Sequence, residues 1–259
     1  MRKLALATAL SLVPFFALSA EKLKVVATPV PHAEILESIK PQLAAKDIDL
    51  EVVVVTDYVL PNLMVDEKEA DANFFQHAPY LDEFNKNHNL NIVALEPAIH
   101  VEPIAAYSQK IKSKDDLKTG AKVSIPNDPA NGGRALILLH NEGIITLNNP
   151  ENILSTVFDI KENPLKLTFV ELEAPMLART LDEVDLALIN TNFALDAKLN
   201  PTKDSLFIEG AQSPYANIIT VLPENKDDAR IKALIEVITS DDVRTFIEEK
   251  YEGSIVPVF

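Results

Sequence analysis

The chain has 259 residues, 47% of them apolar, and its 39 acidic groups against 24 basic ones give a formal net charge of −15. That apolar share supports one large or two ordinary hydrophobic cores and excludes wholesale disorder. The acidic balance argues against a nucleic-acid surface and against docking on anionic lipid, and the absence of cysteine removes disulfides, thiolate metal sites, cysteine nucleophiles and lipid attachment through cysteine.

Residues 1–20 are unlike the rest. Arg2 and Lys3 make a basic start, residues 4–16 are almost unbrokenly apolar, and Ser19-Ala20 precedes the polar Glu21-Lys22. This is the three-part pattern of a secretory signal peptide, and the apolar run is too short to span a bilayer comfortably. Cleavage is expected after Ser19 or Ala20. Without Arg2 and Lys3, 22 basic groups face 39 acidic ones, a net charge of −17 on a soluble, exported product.

Strands and helices then alternate. Residues 23–28 read as a β-branched strand, and Pro31 opens a helical pattern carrying Ile35, Leu36, Ile39 and Leu43, which Pro41 is expected to kink or shorten. Residues 50–56 (LEVVVVT) read as a strand buried on both faces of a parallel sheet. A helix over 79–87 and strands over 91–95, 101–107 and 122–125 follow. Next comes a helix over 129–141 with Gly143 just past its end. A strand over 166–170, a helix over 174–181, and strands over 185–189 and 217–222 lead to closing helices over 227–239 and 241–251. The alternation predicts an α/β fold with mostly parallel sheets flanked by helices. No low-complexity linker separates two domains. A chain that crosses between lobes through strands is the alternative, and 103–107 and 216–221 are the candidate crossings.

Four segments carry chemistry. Asp71-Ala-Asn-Phe-Phe-Gln-His-Ala-Pro-Tyr80 interleaves aromatics with polar groups before a helix, as a ligand pocket does, or as a buried strand end followed by a capped helix does. The five histidines form no H-x-H or H-x-x-x-H pair, so the spacing supplies no metal site, and no cofactor motif is present. Asn127-Asp-Pro-Ala-Asn-Gly-Gly-Arg134 runs into an apolar helix. There Gly132 and Gly133 would let a ligand approach free amide N–H groups. Arg134, in the first turn, would bind a carboxylate; the alternative is a surface Arg after a loose Gly turn. Strand 185–189 ends in Asn190 and Asn192, at the crevice end of a parallel sheet or as plain helix caps. Gln212-Ser-Pro-Tyr-Ala-Asn217 turns into a strand, with Asn217 able to donate or accept.

Together the stretches TPVPHAEIL, LEVVVVTDYVLPN, DANFFQHAPYLDEFN, IPNDPANGGRALILL, DLALINTNFA and SPYANIITV resemble the methionine-binding substrate-binding proteins of bacterial ABC importers, the D-methionine-binding lipoprotein family. The resemblance covers essentially the whole chain after residue 20. It implies a two-lobed periplasmic-binding-protein fold with two strand crossings at the hinge: lobe 1 over 21–104 plus 220–259, lobe 2 over 105–219. It also implies a pocket built from Tyr58, Phe75, His77, Tyr80, Arg134, Asn190 or Asn192, and Asn217. Arg134 would hold the α-carboxylate through a bidentate pair, the asparagines would take the α-ammonium, and Tyr58, Phe75 and Tyr80 would surround the thioether. His77 would hydrogen-bond rather than act as a catalyst. The implied partners are methionine and the membrane permease of an ABC importer, with the carrier a monomer and not an enzyme. The chain lacks the lipid-modified cysteine of many members, which implies a freely soluble periplasmic form. A methionine dipeptide, another apolar amino acid as cargo, or a surface adhesin or antigen are the alternatives. Intact-mass analysis of the exported protein is expected to show a chain beginning at Ala20 or Glu21; a retained Met1 would remove the signal-peptide reading.

Overall fold

A computed structural model describes residues 20–210 and 213–259; residues 1–19, which hold most of the expected signal segment, and Gln212 of the fourth motif lie outside the described residues. The first strand, β1 (Glu21–Ala27), leads through a wide turn at Pro29–Ala33 into α1 (Glu34–Ala44). Ile35, Leu36, Ile39 and Leu43 of α1 are buried, as their helical spacing requires. The helix runs past Pro41 to Ala44, because a proline in the last turn forfeits one hydrogen bond without blocking the turn that follows. Then come β2 (Ile48–Val54), the short α2 (Leu60–Asp66), which apolar periodicity did not reveal, β3 (Ala72–His77), α3 (Ala78–His88), β4 (Val93–Ala94) and β5 (His100–Val101).

The chain then changes sheets. The run expected as one strand over 101–107 breaks at Glu102-Pro103-Ile104, and β6 (Ala105–Tyr107) pairs in a second sheet. That sheet also holds β7 (Lys122–Pro126), which feeds α4 (Pro129–Asn141). A two-stranded ribbon follows, made of β8 (Thr146–Leu147) and β9 (Ile160–Glu162). Next are β10 (Thr168–Leu172), a tight 3-10 segment at Ala174–Thr180, β11 (Leu186–Ile189), α5 (Thr191–Asp196), α6 (Pro201–Asp204) and β12 (Phe207–Ile208). The return lies between Ile208 and Ala216. The strand β13 (Ala216–Val221), one of the expected crossings, pairs wholly within the first sheet, so residues 216–219 belong with that sheet rather than the second lobe. Two helices, α7 (Ala229–Ile238) and α8 (Asp241–Tyr251), and β14 (Val256–Pro257) complete it.

The first sheet has the order β14-β5-β13-β3-β1-β2, with β4 beside β13; the second has the order β10-β7-β11-β6-β12. Strands joined by helical crossovers are parallel: β2-β1-β3 in one sheet and β10-β7-β11 in the other. Strands next to the sheet change pair antiparallel, so both sheets are mixed rather than mostly parallel. The strand β2, expected to be buried on both faces, is an edge strand that covers one face and leaves Val54 about half exposed.

Each sheet is covered on both faces. Helices α1, α7 and α8 pack a large apolar cluster on one side of the first sheet, and Val65 of α2 and Leu81 of α3 belong to the cluster on the other. Leu136, Leu138 and Leu139 of α4 fill one face of the second sheet, and α5 with Leu177 the other. The arrangement aims the carboxyl ends of β3, β7 and β11 at the gap between the sheets.

Glycines 132 and 133 serve this packing instead of a ligand. A Cβ on Gly132 would lie 2.9 Å from the Pro126 carbonyl oxygen, and one on Gly133 only 2.2 Å from that of Ile153. The Gly133→Ala variant is therefore expected to lose about 1–3 kcal/mol of stability in urea unfolding, the usual cost of overpacking against backbone that cannot retreat. Gly210→Ala, where a Cβ meets nothing within 4 Å, should leave the midpoint almost unchanged.

Candidate ligand-binding site

A cavity lies between the sheets, lined by Tyr58, Phe75, Gln76, His77, Tyr80, Glu102, Asn131, Arg134, Asn190, Asn192 and Asn217. All eight residues expected from the sequence line it, including both asparagines of the INTN segment. Gln76, Glu102 and Asn131 are additions. Glu102 sits in the outgoing crossing, and Asn131 was passed over as part of a glycine turn.

One wall is aromatic. Asp57 Oδ1 accepts the backbone N–H groups of Val59 and Leu60, each at 2.8 Å, and so fixes the turn that presents Tyr58. The Tyr58 ring lies 5.7 Å from Phe75, 5.7 Å from Tyr80 and 4.9 Å from Phe193, all in tilted or edge-on contact. Phe193, one residue beyond Asn192, is the missed member of this cluster. The Tyr80 hydroxyl donates to the Tyr58 carbonyl at 2.8 Å, and the Tyr58 hydroxyl donates to Asn192 Oδ1 at 2.6 Å, tying the first-sheet loop to α5.

A bulge aims the polar end of β3. The β3–β13 register pairs His77 with Asn217 and Gln76 with Ile218, then passes over Phe75 to pair Phe74 with Ile219. The extra residue shifts the alternation, so Asn73 and Gln76 share a face. There Gln76 Nε2 donates to Asn62 Oδ1 at 2.7 Å and to Asn73 Oδ1 at 3.0 Å, in a buried network that fastens α2 to the sheet. His77 turns to the cavity. Its Nδ1 accepts the Tyr80 backbone N–H at 3.2 Å, which caps α3 and places the proton on Nε2, and Nε2 then donates to Asn131 Oδ1 at 3.1 Å. Burial, reinforced by the nearby Arg134 cation, lowers its pKa to about 3, so the ring is neutral and serves as a donor.

Arg134 is 2% exposed and is the sixth residue of α4, a turn deeper than the sequence indicated. The start of α4 is already capped: Asp128 accepts the Asn131 backbone N–H at 2.8 Å and the Asn131 side chain at 3.0 Å, so the Asn131 amide is not open to a ligand. The guanidinium has an internal anion. Glu209 accepts from Nε at 3.1 and 3.2 Å and from Nη2 at 2.5 Å, the Glu102 carbonyl accepts from Nη2 at 2.6 Å, and the Tyr215 ring centroid lies 4.3 Å from the guanidinium carbon. The fork edge expected for a ligand carboxylate is thus engaged, and Nη1 is the donor without a partner among the described residues.

The remaining polar atoms divide cleanly. Asn190 Nδ2 donates to Asn131 Oδ1 at 2.7 Å, and its Oδ1 is buried with no partner. Glu102 Oε1 accepts from His100 Nε2 at 2.8 Å and lies 3.1 Å from His32 Nε2, while Oε2 has no partner among the described residues. Asn217 Oδ1 accepts from His32 Nε2 at 3.0 Å, which leaves its Nδ2 free, and Asn192, with Oδ1 taken by Tyr58, also keeps Nδ2. Among the described residues, the cavity therefore presents two free acceptors, Glu102 Oε2 and Asn190 Oδ1, beside three free donors on Arg134, Asn192 and Asn217.

His32, His100 and Glu102 gather into a cluster with ligand-type atoms within 4.8 Å of one another, a grouping that sequence spacing could not reveal. Its chemistry is that of a hydrogen-bonded carboxylate. A metal would have to displace both Nε2 protons, and His100 Nδ1, buried without a partner, offers no acceptor to orient the metallated ring.

Two mixed sheets joined by two crossings, with a small polar and aromatic cavity between them, define a two-lobed substrate-binding protein of the periplasmic type. The chain belongs to the NlpA lipoprotein family, whose model matches residues 23–259. It is 41% identical over 242 residues to the methionine-binding lipoprotein MetQ of Bacillus subtilis, covering 92% of this chain and 88% of that protein. A nutrient-binding protein from Burkholderia cenocepacia, solved bound to methionine, superposes with a TM-score of 0.88 at 41% identity, covering 92% of this chain and 100% of that one. An ABC transporter periplasmic substrate-binding protein from Coxiella burnetii does so with a TM-score of 0.87 at 37% identity, over 91% of this chain and 100% of that one.

The neutral state of His77 has a measurable consequence. In the unfolded chain its imidazole takes a proton below pH 6.5; in the folded chain it stays neutral down to about 3. Stability is therefore full above pH 6.5 and is lost as pH falls through that window. Between pH 7 and pH 5 the wild type should lose about 2 kcal/mol more than His77→Gln in urea titrations; equal losses would mean the ring is protonated in the folded state.

Proposed function

We propose that the protein binds a free α-amino acid with an unbranched apolar side chain, methionine foremost, in the cleft between its lobes. The observation that carries this reading is the partition of unsatisfied atoms: donors for a carboxylate and acceptors for an ammonium within one cavity walled by Tyr58, Phe75 and Tyr80. The α-carboxylate meets Arg134 Nη1 with Asn192 or Asn217 beside it, and the α-ammonium meets Glu102 Oε2 and Asn190 Oδ1. The thioether lies among the aromatic rings, where each sulfur contact contributes roughly 0.3–1.5 kcal/mol. The family relationship and the methionine-bound neighbour support the same cargo.

In this reading the lobes are residues 21–101 with 216–259, and 105–208, and the two crossings are the hinge. The protein captures and releases its ligand without making bonds. It works outside the cytoplasmic membrane as a soluble monomer, since its sequence contains no cysteine to carry a lipid, and it hands its cargo to the permease of an ABC importer. Fluorescence or radioligand uptake in vesicles carrying that permease tests the last step.

Calorimetric titration and thermal shift on refolded protein test the first. At a hundredfold excess over Kd, methionine should add about 2.7 kcal/mol of stability and on the order of 5 °C to the melting temperature. Arg134→Ala should lose about 2–5 kcal/mol of binding free energy. It should also lower stability, because Glu209 is left without its cation. Wild-type affinity in the folded variant would refute the anchor, and a larger shift with leucine or with a methionine dipeptide would reassign the cargo.

A further inference from the structure

We propose that His32 and His100 are positioning residues that hold the Glu102 carboxylate as a bare, fixed anion and so make the cleft select ligands with a protonated α-amino group. This rests on the reading of the cleft as an α-amino acid site, and it names what sets the preference for the amine.

Both imidazoles bring Nε2 to the same oxygen, Glu102 Oε1, at 2.8 Å from His100 and 3.1 Å from His32. The proton positions follow from the partners. Thr28 Oγ1 lies 2.7 Å from His32 Nδ1, and the two groups facing His32 Nε2, Glu102 Oε1 and Asn217 Oδ1, are both acceptors, so His32 carries its proton on Nε2. The rings are held in turn by Phe74, which meets His32 edge-on at 4.7 Å and His100 at 5.4 Å. Every member of this set is at most 5% exposed.

The charge balance gives the arrangement its point. A buried carboxylate is ordinarily paired with a cation. The nearest cation here, Arg134, is engaged by Glu209 and touches Glu102 only through its backbone carbonyl. His100 Nε2 donates to Glu102 Oε1 and His32 Nε2 stands beside the same oxygen, so both imidazoles engage one oxygen and leave Oε2 without a partner among the described residues. Burial alone would raise the Glu102 pKa; His32 and His100 override that and hold it well below the usual carboxylate range. Burial likewise keeps His100 toward its neutral form. An Arg fork would take both carboxylate oxygens, whereas two imidazoles at Oε1 leave Oε2 for an ammonium in the cleft.

Paired titrations of methionine and its des-amino analogue, 4-(methylthio)butanoate, read this directly. Wild type should prefer methionine, and His100→Leu should narrow that preference roughly tenfold, the value of a hydrogen bond to a charged group, while affinity for the analogue stays within about twofold. His100→Gln, which returns an N–H donor near the position of Nε2, should restore most of the preference. Thr28→Val removes only the hydroxyl that fixes the His32 tautomer; it should narrow the ratio to a lesser degree and serves if His100→Leu fails to fold. A proportional loss for both ligands, or an unchanged ratio in the folded variants, overturns the proposal. If Glu102→Gln leaves the wild-type ratio intact, the ammonium reading of the cleft falls first and the proposal falls with it.

Discussion

A guanidinium cannot be left bare inside a protein, and the architecture of this cleft follows from how Arg134 is held. Its helix belongs to the second sheet, yet its partners are on the two segments that join the sheets. The Glu102 carbonyl lies in the outgoing crossing, and Glu209 and the Tyr215 ring flank the return. The Glu209 backbone N–H also donates to the Ile104 carbonyl at 2.9 Å, so the two crossings are bonded to each other beside the cation they share. One buried charge therefore staples the hinge and faces the cavity. A group that binds Nη1 acts on the same side chain that sets the spacing of the crossings, so ligand occupancy and hinge geometry share a single residue.

Much of this was legible in the sequence because it is local. The helix over 241–251 appeared with the bounds read from its apolar spacing, and Gly143 takes the positive φ of 72° that ends α4. The pocket segments were found because aromatic and amide side chains crowd into stretches that periodicity alone does not explain. What stayed hidden is non-local. Glu102 looks like one acid among many until the fold brings His32, 70 residues earlier, against it. Glu209 gave no signal, because its meaning is a distance to Arg134. The error at 101–107 has the same origin. A β-branched run with one proline is compatible with a continuous strand, and only the existence of a second sheet makes the proline a break.

The placement of Asn131 is instructive in another way. In sequence it is a polar residue inside a helix start, where capping is the ordinary explanation, and it does take part in the Asp128 cap. Its Oδ1 also accepts from His77 at 3.1 Å and from Asn190 at 2.7 Å. A single amide oxygen thus joins the ends of three elements from both sheets, and it fixes the imidazole tautomer and the amide orientation that leaves Asn190 Oδ1 free. The polarity of the cavity is set by such second partners more than by the residues that line it.

The bulge at Phe75 gives β3 a fixed count. Side chains along it can be exchanged while the backbone keeps its course, but one residue removed between Phe74 and His77 would restore regular pleating. His77 and Phe74 would keep their partners Asn217 and Ile219, and therefore their faces, so the alternation on either side of the bulge would survive the deletion. What would go is the unpaired position itself. The strand uses that position to add Phe75 to the aromatic wall against Tyr58 without turning over any other side chain.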